Sequence, residues 1–349
     1  MGLSHPLPTG PGPRSSGADP RRSLRSLTEA LLDEGADAGS VDAAARDLHG
    51  LLARLAGLGE EGEWTRERAL PSGRALSPLD AARCARDGSR TAAFLRGGDA
   101  ALTALLERTP GRAVEVLYAG TGPLAPLVLP LLALREKGSV LVTFLDVHPA
   151  AAGSVARLID ALSLGGFVRD VATADAAAWA PPHGTGLDLL VVEAMERSLA
   201  REPQAAICRH LVPRLAPSGC LLPEEVAVDL VLTDPDVERS AGADSRARAQ
   251  ARVAVGRVLE LTRERAVAPP GPSGAFPEVS VVLPEGIGPR RRAALLTSVR
   301  VFGPHAVAEG ASGLTTPEIL WGVPLLPAGA RLSFRYREGR VPGLVWRVS

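Results

Sequence analysis

Residues 113–146, AVEVLYAGTGPLAPLVLPLLALREKGSVLVTFLD, contain the pattern that decides the fold. Two short apolar runs rich in β-branched residues, 113–119 and 141–146, are separated by a glycine turn and an apolar segment long enough for a helix. Such a unit predicts two neighbouring parallel strands. The alternation continues with apolar runs at 167–172 and 187–193. The predicted fold class is therefore α/β, with a Rossmann-like, doubly wound parallel sheet.

The chain before this sheet predicts a tail, a helical module and the start of the main domain. Residues 1–24 combine Pro, Gly, Ser and Arg with few large apolar side chains, so we expect a disordered tail. Apolar residues then recur at helical spacing and predict an N-terminal helical module over 25–75. The Rossmann-like domain is assigned to 76–222, where Ser77 followed by Pro78 is typical of a helix start.

The last segment, 223–349, is predicted to be a mainly antiparallel β domain that contributes to substrate binding. Its strand-like runs are separated by turns rich in Pro and Gly, and they lie at 226–232, 279–283, 332–336 and 344–348. One helix is predicted from Ser245 to Arg263. Trp321 and Trp346 are expected in the core of this domain rather than in a substrate-binding cage.

The composition excludes several classes of partner. The chain has 39 Lys and Arg against 39 Asp and Glu, so no net charge attracts it to nucleic acid or to an anionic membrane surface. Cys84, Cys208 and Cys220 are widely spaced and odd in number, which predicts neither a disulfide framework nor a metal site. No apolar stretch is long enough to span a bilayer and no signal peptide is visible, so we expect a cytoplasmic protein.

The glycine turn after the first strand predicts a nucleotide-type ligand. Gly120, Thr121 and Gly122 lead from the strand into the apolar helix, so their backbone amides can face a ligand beside a helix N-terminus. Asp146 ends the second strand and can accept hydrogen bonds from both hydroxyls of a ribose. A nicotinamide dinucleotide and S-adenosylmethionine compete as ligands of this unit. The dinucleotide fingerprint requires a third glycine where this chain has Ala125 or neighbouring apolar residues, which favours S-adenosylmethionine.

Two residues near these strand ends have alternative interpretations. Asp175 follows the third strand, where it can accept a hydrogen bond from the exocyclic amine of an adenine, but it can also be a solvated turn residue. His148, two positions after Asp146, can contact the ribose or act as a base, whereas a capping or surface role is the alternative. The sequence leaves both choices open.

Three motifs resemble those of a known family. They are DGSRT at 87–91, EAMERSLARE at 193–202 and LAPSGCLLP at 215–223. Together with the strand pattern, they resemble class I S-adenosylmethionine-dependent methyltransferases and, more closely, the protein arginine N-methyltransferase family. The resemblance covers roughly residues 80–225, and its most specific part is the pair of glutamates at the ends of 193–202.

The resemblance implies roles for three charged residues. Arg90 would pair with the carboxylate of the methionine moiety, which suits a planar guanidinium. Glu193 and Glu202 would hold a guanidinium with one nitrogen in line with the methyl group, and positioning of this kind can supply most of the catalysis. We therefore expect a methyltransferase that acts on a nitrogen of a small molecule, an amino acid or a peptide, with a homodimer as one alternative for its assembly.

Departures from the family pattern leave other functions open. Tyr118 stands where many members have an acid, Leu124 replaces the last glycine of the glycine motif, and Glu196 replaces a glycine in the hairpin. The Thr-His-Trp substrate loop of the family has no clear counterpart, since residues 315–321 contain a tryptophan but no histidine. Histone-type arginine methylation is therefore not expected. Methylation of oxygen or carbon in natural-product biosynthesis is the first alternative, and a catalytically silent binding or scaffold protein is the second.

Overall fold

The structure is a computed structural model that describes residues 19–181, 186–240, 245–272, 274–285, 291–321 and 328–348. Its helices are α1 Pro20–Leu32, α2 Ala38–Ala56, α3 Pro78–Cys84, α4 Gly88–Arg108, α5 Leu129–Leu132, α6 Pro149–Ala161, α7 Gln204–Leu211, α8 Pro235–Arg239, α9 Ser245–Ala251 and α10 Arg263–Val267. Its strands are β1 Arg68–Leu70, β2 Gly73–Ala75, β3 Val114–Ala119, β4 Val140–Asp146, β5 Val168–Thr173, β6 Leu187–Val192, β7 Leu215–Leu222, β8 Glu225–Thr233, β9 Val253–Thr262, β10 Val279–Val282, β11 Arg292–Phe302, β12 His305–Val307, β13 Glu318–Ile319, β14 Arg331–Arg337 and β15 Gly343–Val348. None of the described helices has the length and apolarity that a membrane span requires.

A five-stranded parallel sheet positions the site. Its strand order is β5-β4-β3-β6-β7, and every neighbouring pair is parallel. Strands β3, β4 and β6 are almost entirely buried, as expected of strands rich in Val and Leu that are covered by the rest of the domain. The chain order reverses between β3 and β6, and open α/β sheets bind ligands at the carboxyl ends of the strands beside such a reversal. The predicted doubly wound α/β fold class is confirmed.

Two antiparallel sheets follow the parallel one, as predicted. One contains β12, β11, β8 and β9 in that order, with β13 paired to β11, and the other contains β10, β14 and β15. Helix α4 packs closely on the first of them, because a Cβ on Gly97 would lie only 2.5 Å from Cγ1 of Val301. Glycine at this position lets the helix that carries the DGSRT motif approach the antiparallel sheet.

The N-terminal helices pack on the same helix α4. Arg96 donates hydrogen bonds to the main-chain oxygens of Leu31 at 3.0 Å and Asp33 at 2.5 Å. Helix α1 begins at Pro20, so the predicted disordered tail is wrong for residues 19–24, while residues 1–18 lie outside the described part of the chain. The physical reason is local capping and burial: an Asp19 carboxylate oxygen accepts a hydrogen bond from the Arg21 N–H, and Leu24 is fully buried.

Two further predictions for the last segment are wrong. The helix predicted from Ser245 to Arg263 ends at Ala251, and strand β9 takes its place because residues 253–262 pair with β8 along nearly its whole length. Trp321 and Trp346 are not core residues, since they are 64% and 38% exposed. Trp346 belongs to β15, which is an edge strand.

Candidate functional site

A cleft lies at the carboxyl ends of β3, β4 and β6. About 950 Å³ of space, open solvent included, lies between its walls. The fold brings together all eight residues that the sequence predicts for the site, and they line this one cleft: Arg90, Gly120, Thr121, Gly122, Asp146, Asp175, Glu193 and Glu202. They come from five separate places in the chain.

The glycine turn forms one wall of the cleft. Gly120 and Gly122 have φ angles of 77° and 56°, in the left-handed region where side chains are strained. The Gly120 N–H donates to the Leu145 carbonyl at 2.8 Å, which fixes the turn to the end of β4. A Cβ on Gly120 would lie 3.3 Å from Cβ of Ala194, so a side chain here would also crowd the segment that follows β6.

Asp146 lies at the end of β4 and is 7% exposed. Its Oδ2 accepts a hydrogen bond from the Gly122 N–H and its Oδ1 accepts one from the His148 N–H, both at 2.8 Å. Burial raises the pKa of the Asp146 carboxyl, and the two backbone donors oppose that rise. Because a carboxylate has about four acceptor positions, two remain for a ligand.

Asp175 and His148, for which the sequence leaves two interpretations open, also line the cleft. The Asp175 carboxylate accepts a hydrogen bond from the Ala177 N–H at 2.9 Å, so it stabilises its own turn as well as lining the cleft. His148 is the residue before helix α6, but its side chain makes no capping hydrogen bond. The capping role of His148 that the sequence leaves open is therefore excluded.

The two glutamates are carried by residues 193–202, which we call the acid hairpin. Its backbone is strained, since Ser198, Leu199 and Arg201 have φ angles of 59°, 51° and 62°. At its base, the Ala194 N–H donates to Oε1 of Gln204, and Nε2 of the same side chain donates to the Val192 carbonyl, both at 2.9 Å. The glutamine thereby closes the two ends of the hairpin on each other.

The antiparallel sheets hold the rest of the acid hairpin in place. The Ser198 N–H donates to Oγ1 of Thr297 at 2.8 Å, and the Tyr336 hydroxyl donates to the Leu199 carbonyl at 2.9 Å. The Arg201 N–H donates to a carbonyl of the loop before β15 at 2.9 Å. These bonds fix the strained conformation, so the C-terminal segment helps to position Glu202.

Arg90 and Glu193 form a direct ion pair in the cleft. Both side chains are about nine-tenths buried, at 10% and 11% exposure. Burial raises the pKa of Glu193, and the Arg90 guanidinium opposes that rise. The sequence assigned these two residues to different ligands, a carboxylate for Arg90 and a guanidinium for Glu193, whereas the structure joins them to each other.

Glu202 is the acid that Arg90 does not pair with directly, and it is 8% exposed. Burial, reinforced by the negative charge of Glu193, raises its pKa to about 8. Glu202 is therefore mainly protonated at neutral pH, while Arg90 lies against the other acid of the pair, Glu193. The carboxyl can donate a hydrogen bond in this state, and it can only accept hydrogen bonds when it has lost its proton.

A hairpin that was not predicted from the sequence, residues 68–75, crosses the cleft, and we call it the strap. The Arg68 guanidinium donates to the Val147 carbonyl at 2.6 Å, next to Asp146, and the Arg74 N–H donates to the Arg201 carbonyl at 2.9 Å. Between these anchors, Leu70 is buried and lines the cleft. The repeat RALPSGRAL at 68–76 was the available signal, since a Pro-Ser-Gly turn between two similar runs is typical of a hairpin.

Tyr118 and Cys84 also line the cleft, although neither was predicted to bind a ligand. Tyr118 is 1% exposed, and its ring lies 6.5 Å from that of Phe144, so it fills the space beneath the glycine turn. Cys84 ends helix α3, and burial raises the pKa of its thiol. Tyr118 therefore has a packing role, and the Cys84 thiol is protonated rather than poised to act as a nucleophile.

Comparisons with known proteins show similarity to solved structures alone. No family model matches the chain, and no curated protein matches it. Among solved structures, the chain is similar to the Trypanosoma brucei PRMT1 enzyme-prozyme heterotetrameric complex with AdoHcy, at 14% sequence identity and a TM-score of 0.48. The match covers 78% of this chain and 91% of that chain. At that identity and TM-score, the functional conclusion depends on this chain's own site.

Proposed function

We propose that this protein is a cytoplasmic S-adenosylmethionine-dependent methyltransferase that methylates a nitrogen of a small molecule, an amino acid or a peptide. One observation carries the proposal. A strand-end carboxylate suited to a ribose, Asp146, lines the same cleft as the buried acid pair Glu193 and Glu202. The cleft lies at the chain reversal of the parallel sheet, where this class of fold binds ligands.

The residues of the cleft fit this cofactor. Asp146 keeps two acceptor positions for ribose hydroxyls after its two backbone bonds, and Asp175 lies in the same wall for an adenine amine. Arg90 has five N–H donors, so it can bind a carboxylate while it remains paired with Glu193. When bound, the cofactor supplies a methyl group on a sulfonium, which is already activated for transfer.

The acid pair would orient the acceptor. Glu193, fixed by Arg90, offers an anionic acceptor in a fixed direction, and such preorganised groups are most effective where water is excluded. Glu202, with a pKa of about 8, can lose its proton to bind a cationic acceptor or can take the proton that a nitrogen releases. The tethered backbone of the acid hairpin keeps both acids at their places.

An oxygen or carbon acceptor is the second candidate, and the ion pair favours it. Because Arg90 already neutralises Glu193, a single carboxyl group, Glu202, is left for the acceptor. A neutral hydroxyl needs only one such partner, whereas a guanidinium is best held by two carboxylates.

Two measurements test the proposal. Calorimetric titration with S-adenosylhomocysteine should show binding at micromolar strength, whereas no binding at millimolar ligand favours the silent scaffold. A mass-shift screen with S-adenosylmethionine against amines, guanidines, peptides and hydroxylated compounds should then identify the acceptor. With that acceptor, Glu193→Gln and Glu202→Gln should each lower turnover by about a hundredfold or more.

Glu196→Gln is the matched control, because Glu196 belongs to the same hairpin but pairs with Arg201 outside the cleft lining. It should leave turnover within about threefold of the wild type. If Glu202→Gln also keeps turnover within about threefold of the wild type, an oxygen or carbon acceptor is preferred to a nitrogen acceptor.

Light scattering on the purified protein tests the homodimer alternative.

A further inference from the structure

The side chain of Gln204 holds the backbone on both sides of Glu193. Gln204 is the first residue of helix α7 and is 1% exposed. Its Nε2 donates to the Val192 carbonyl and its Oε1 accepts from the Ala194 N–H, both at 2.9 Å. Val192 and Ala194 are the two chain neighbours of Glu193. The peptide groups that flank Glu193 are therefore both bonded to one side chain, and we call this pair of bonds the Gln204 clamp.

The Gln204 clamp acts where the parallel sheet ends. Strand β6 ends at Val192, which is also its last residue to pair with β3. Glu193 is the first residue beyond the strand, so the regular pairing that fixes β6 does not continue along the acid hairpin. An amide side chain suits this place because it has both donors and an acceptor, whereas a carboxylate only accepts.

The same side chain connects the backbones of the two acids. Glu202 lies two residues before Gln204, and only Pro203 separates them. The ring of Pro203 restricts its φ angle, which is −83° here, so the step from Glu202 to Gln204 has little freedom. Along the chain in the other direction, the eight residues 194–201 lie between Glu193 and Glu202. The Gln204 clamp is therefore the shorter of the two connections.

We propose that Gln204 is a positioning residue for methyl transfer, which fixes the direction of Glu193 and its separation from Glu202. This inference rests on the proposed function, in which both acids orient the acceptor. Gln204 does not line the cleft, and the backbone uses both of its polar atoms, so it acts only through the acids. A displacement of reacting groups by about 1 Å can lower a rate by about a hundredfold.

The titration of Glu202 reports whether the two acids keep their separation. Burial is the main cause that raises the pKa of Glu202 to about 8. The charged groups that act on it are Glu193 and Glu196, which raise the pKa, and Arg90 and Arg74, which lower it. Without the Gln204 clamp, Glu193 can move away and water can reach Glu202. Both changes lower the pKa of Glu202.

Gln204→Met tests the proposal, because it removes the amide and leaves an unbranched, flexible side chain. NMR spectroscopy of isotope-labelled glutamate carboxyls measures the titration of Glu202, whose signal is identified by its absence from Glu202→Gln. In Gln204→Met the midpoint of this titration should fall by about 1 pH unit or more. With the acceptor found by the mass-shift screen, kcat should fall about tenfold or more, while KM for S-adenosylmethionine stays within about threefold.

Thr233→Val is the matched control, because it too removes a buried side-chain hydrogen bond with a replacement of similar shape. Thr233 is fully buried, its hydroxyl donates to the Glu238 carboxylate at 2.7 Å, and it lies outside the lining of the cleft. This variant should lose stability, while its Glu202 titration and its turnover stay as in the wild type.

Gln204→Glu is a second variant, which keeps the test decisive if Gln204→Met does not fold. A protonated carboxyl has a donor and an acceptor and can make both bonds, whereas an ionised one cannot donate to the Val192 carbonyl. Its kcat relative to the wild type should therefore be close to one at pH 5.5 and about tenfold lower at pH 8.5.

The other outcomes overturn the proposal in distinguishable ways. If Gln204→Met loses stability but keeps its kcat within about threefold of the wild type, Gln204 is a structural residue only and the proposed function stands. Equal impairment of Gln204→Glu at both pH values would mean that Gln204 does not act through these two bonds. If the wild type binds no S-adenosylhomocysteine at millimolar concentration, the proposed function fails, and the positioning role of Gln204 fails with it.

Discussion

Removal of the Glu202 carboxyl should change how stability depends on pH. An acid whose pKa is raised in the folded state binds its proton more tightly there than in the unfolded chain. The free energy of unfolding therefore falls as the pH rises from the ordinary pKa to the raised one. For Glu202 that interval runs from 4.5 to about 8. Glu202→Gln, which cannot titrate, should lose this dependence.

The magnitude follows from the two pKa values. Between pH 5.5 and 8.5, titration of Glu202 should lower the free energy of unfolding of the wild type by roughly 3 kcal/mol. The stability of Glu202→Gln relative to the wild type should therefore rise by the same amount over this range. Urea unfolding of both proteins at pH 5.5, 7.0 and 8.5 measures this difference directly.

Asp188→Asn provides a control, because the pKa of Asp188 is lowered whereas that of Glu202 is raised. Asp188 is 2% exposed and accepts hydrogen bonds from the Arg112 guanidinium, and its pKa is lowered although burial alone would raise it. It is ionised in both the folded and the unfolded state above pH 5.5, so its substitution should cost the same stability at all three pH values. If the difference between Glu202→Gln and the wild type is likewise constant within about 0.5 kcal/mol, Glu202 is not a buried protonated acid.

Three further predictions concern the same cleft. Asp146→Ala should weaken S-adenosylhomocysteine binding by roughly 2–4 kcal/mol in calorimetry. It should also lower the free energy of unfolding by about 1–3 kcal/mol, because the Gly122 and His148 N–H groups lose their acceptor; unchanged affinity would remove Asp146 from the site. Arg90→Met should lower the free energy of unfolding by roughly 3–5 kcal/mol because it leaves Glu193 buried without its partner, and Arg90→Met combined with Glu193→Gln should cost less than the two single losses summed. Tyr336→Phe should cost about 1–2 kcal/mol in chemical unfolding, because the buried Leu199 carbonyl loses its donor; no loss would mean that water replaces the hydroxyl.

Local sequence patterns led to wrong structural predictions where the pairing of distant strands or the capping of a helix determined the structure. Residues 253–262 were part of the helix predicted from Ser245 to Arg263, but they form β9 because β8 offers a partner strand. Residues 19–24 were assigned to a disordered tail by composition, although Asp19 and Pro20 form a helix start and Leu24 finds a place in the core. The average composition of a segment does not reveal short capping signals of this kind. Burial of a single leucine side chain can nevertheless stabilise the end of a helix.

The sequence by itself determined the parallel sheet and the place of the site. The carboxyl ends of parallel strands meet at one edge, so Gly120, Asp146, Asp175 and Glu193 were certain to lie near each other once the strands were identified. Strand and turn patterns are local, and they are therefore visible in one sequence.

Only the tertiary structure decided the charge state and the partners of the site. The Arg90 and Glu193 ion pair, the raised pKa of Glu202 and the anchors of the strap depend on burial and on contacts between distant parts of the chain. The bond between Tyr336 and Leu199 joins residues 137 positions apart. No local pattern encodes such a contact, because it exists only after the antiparallel sheets have packed against the acid hairpin.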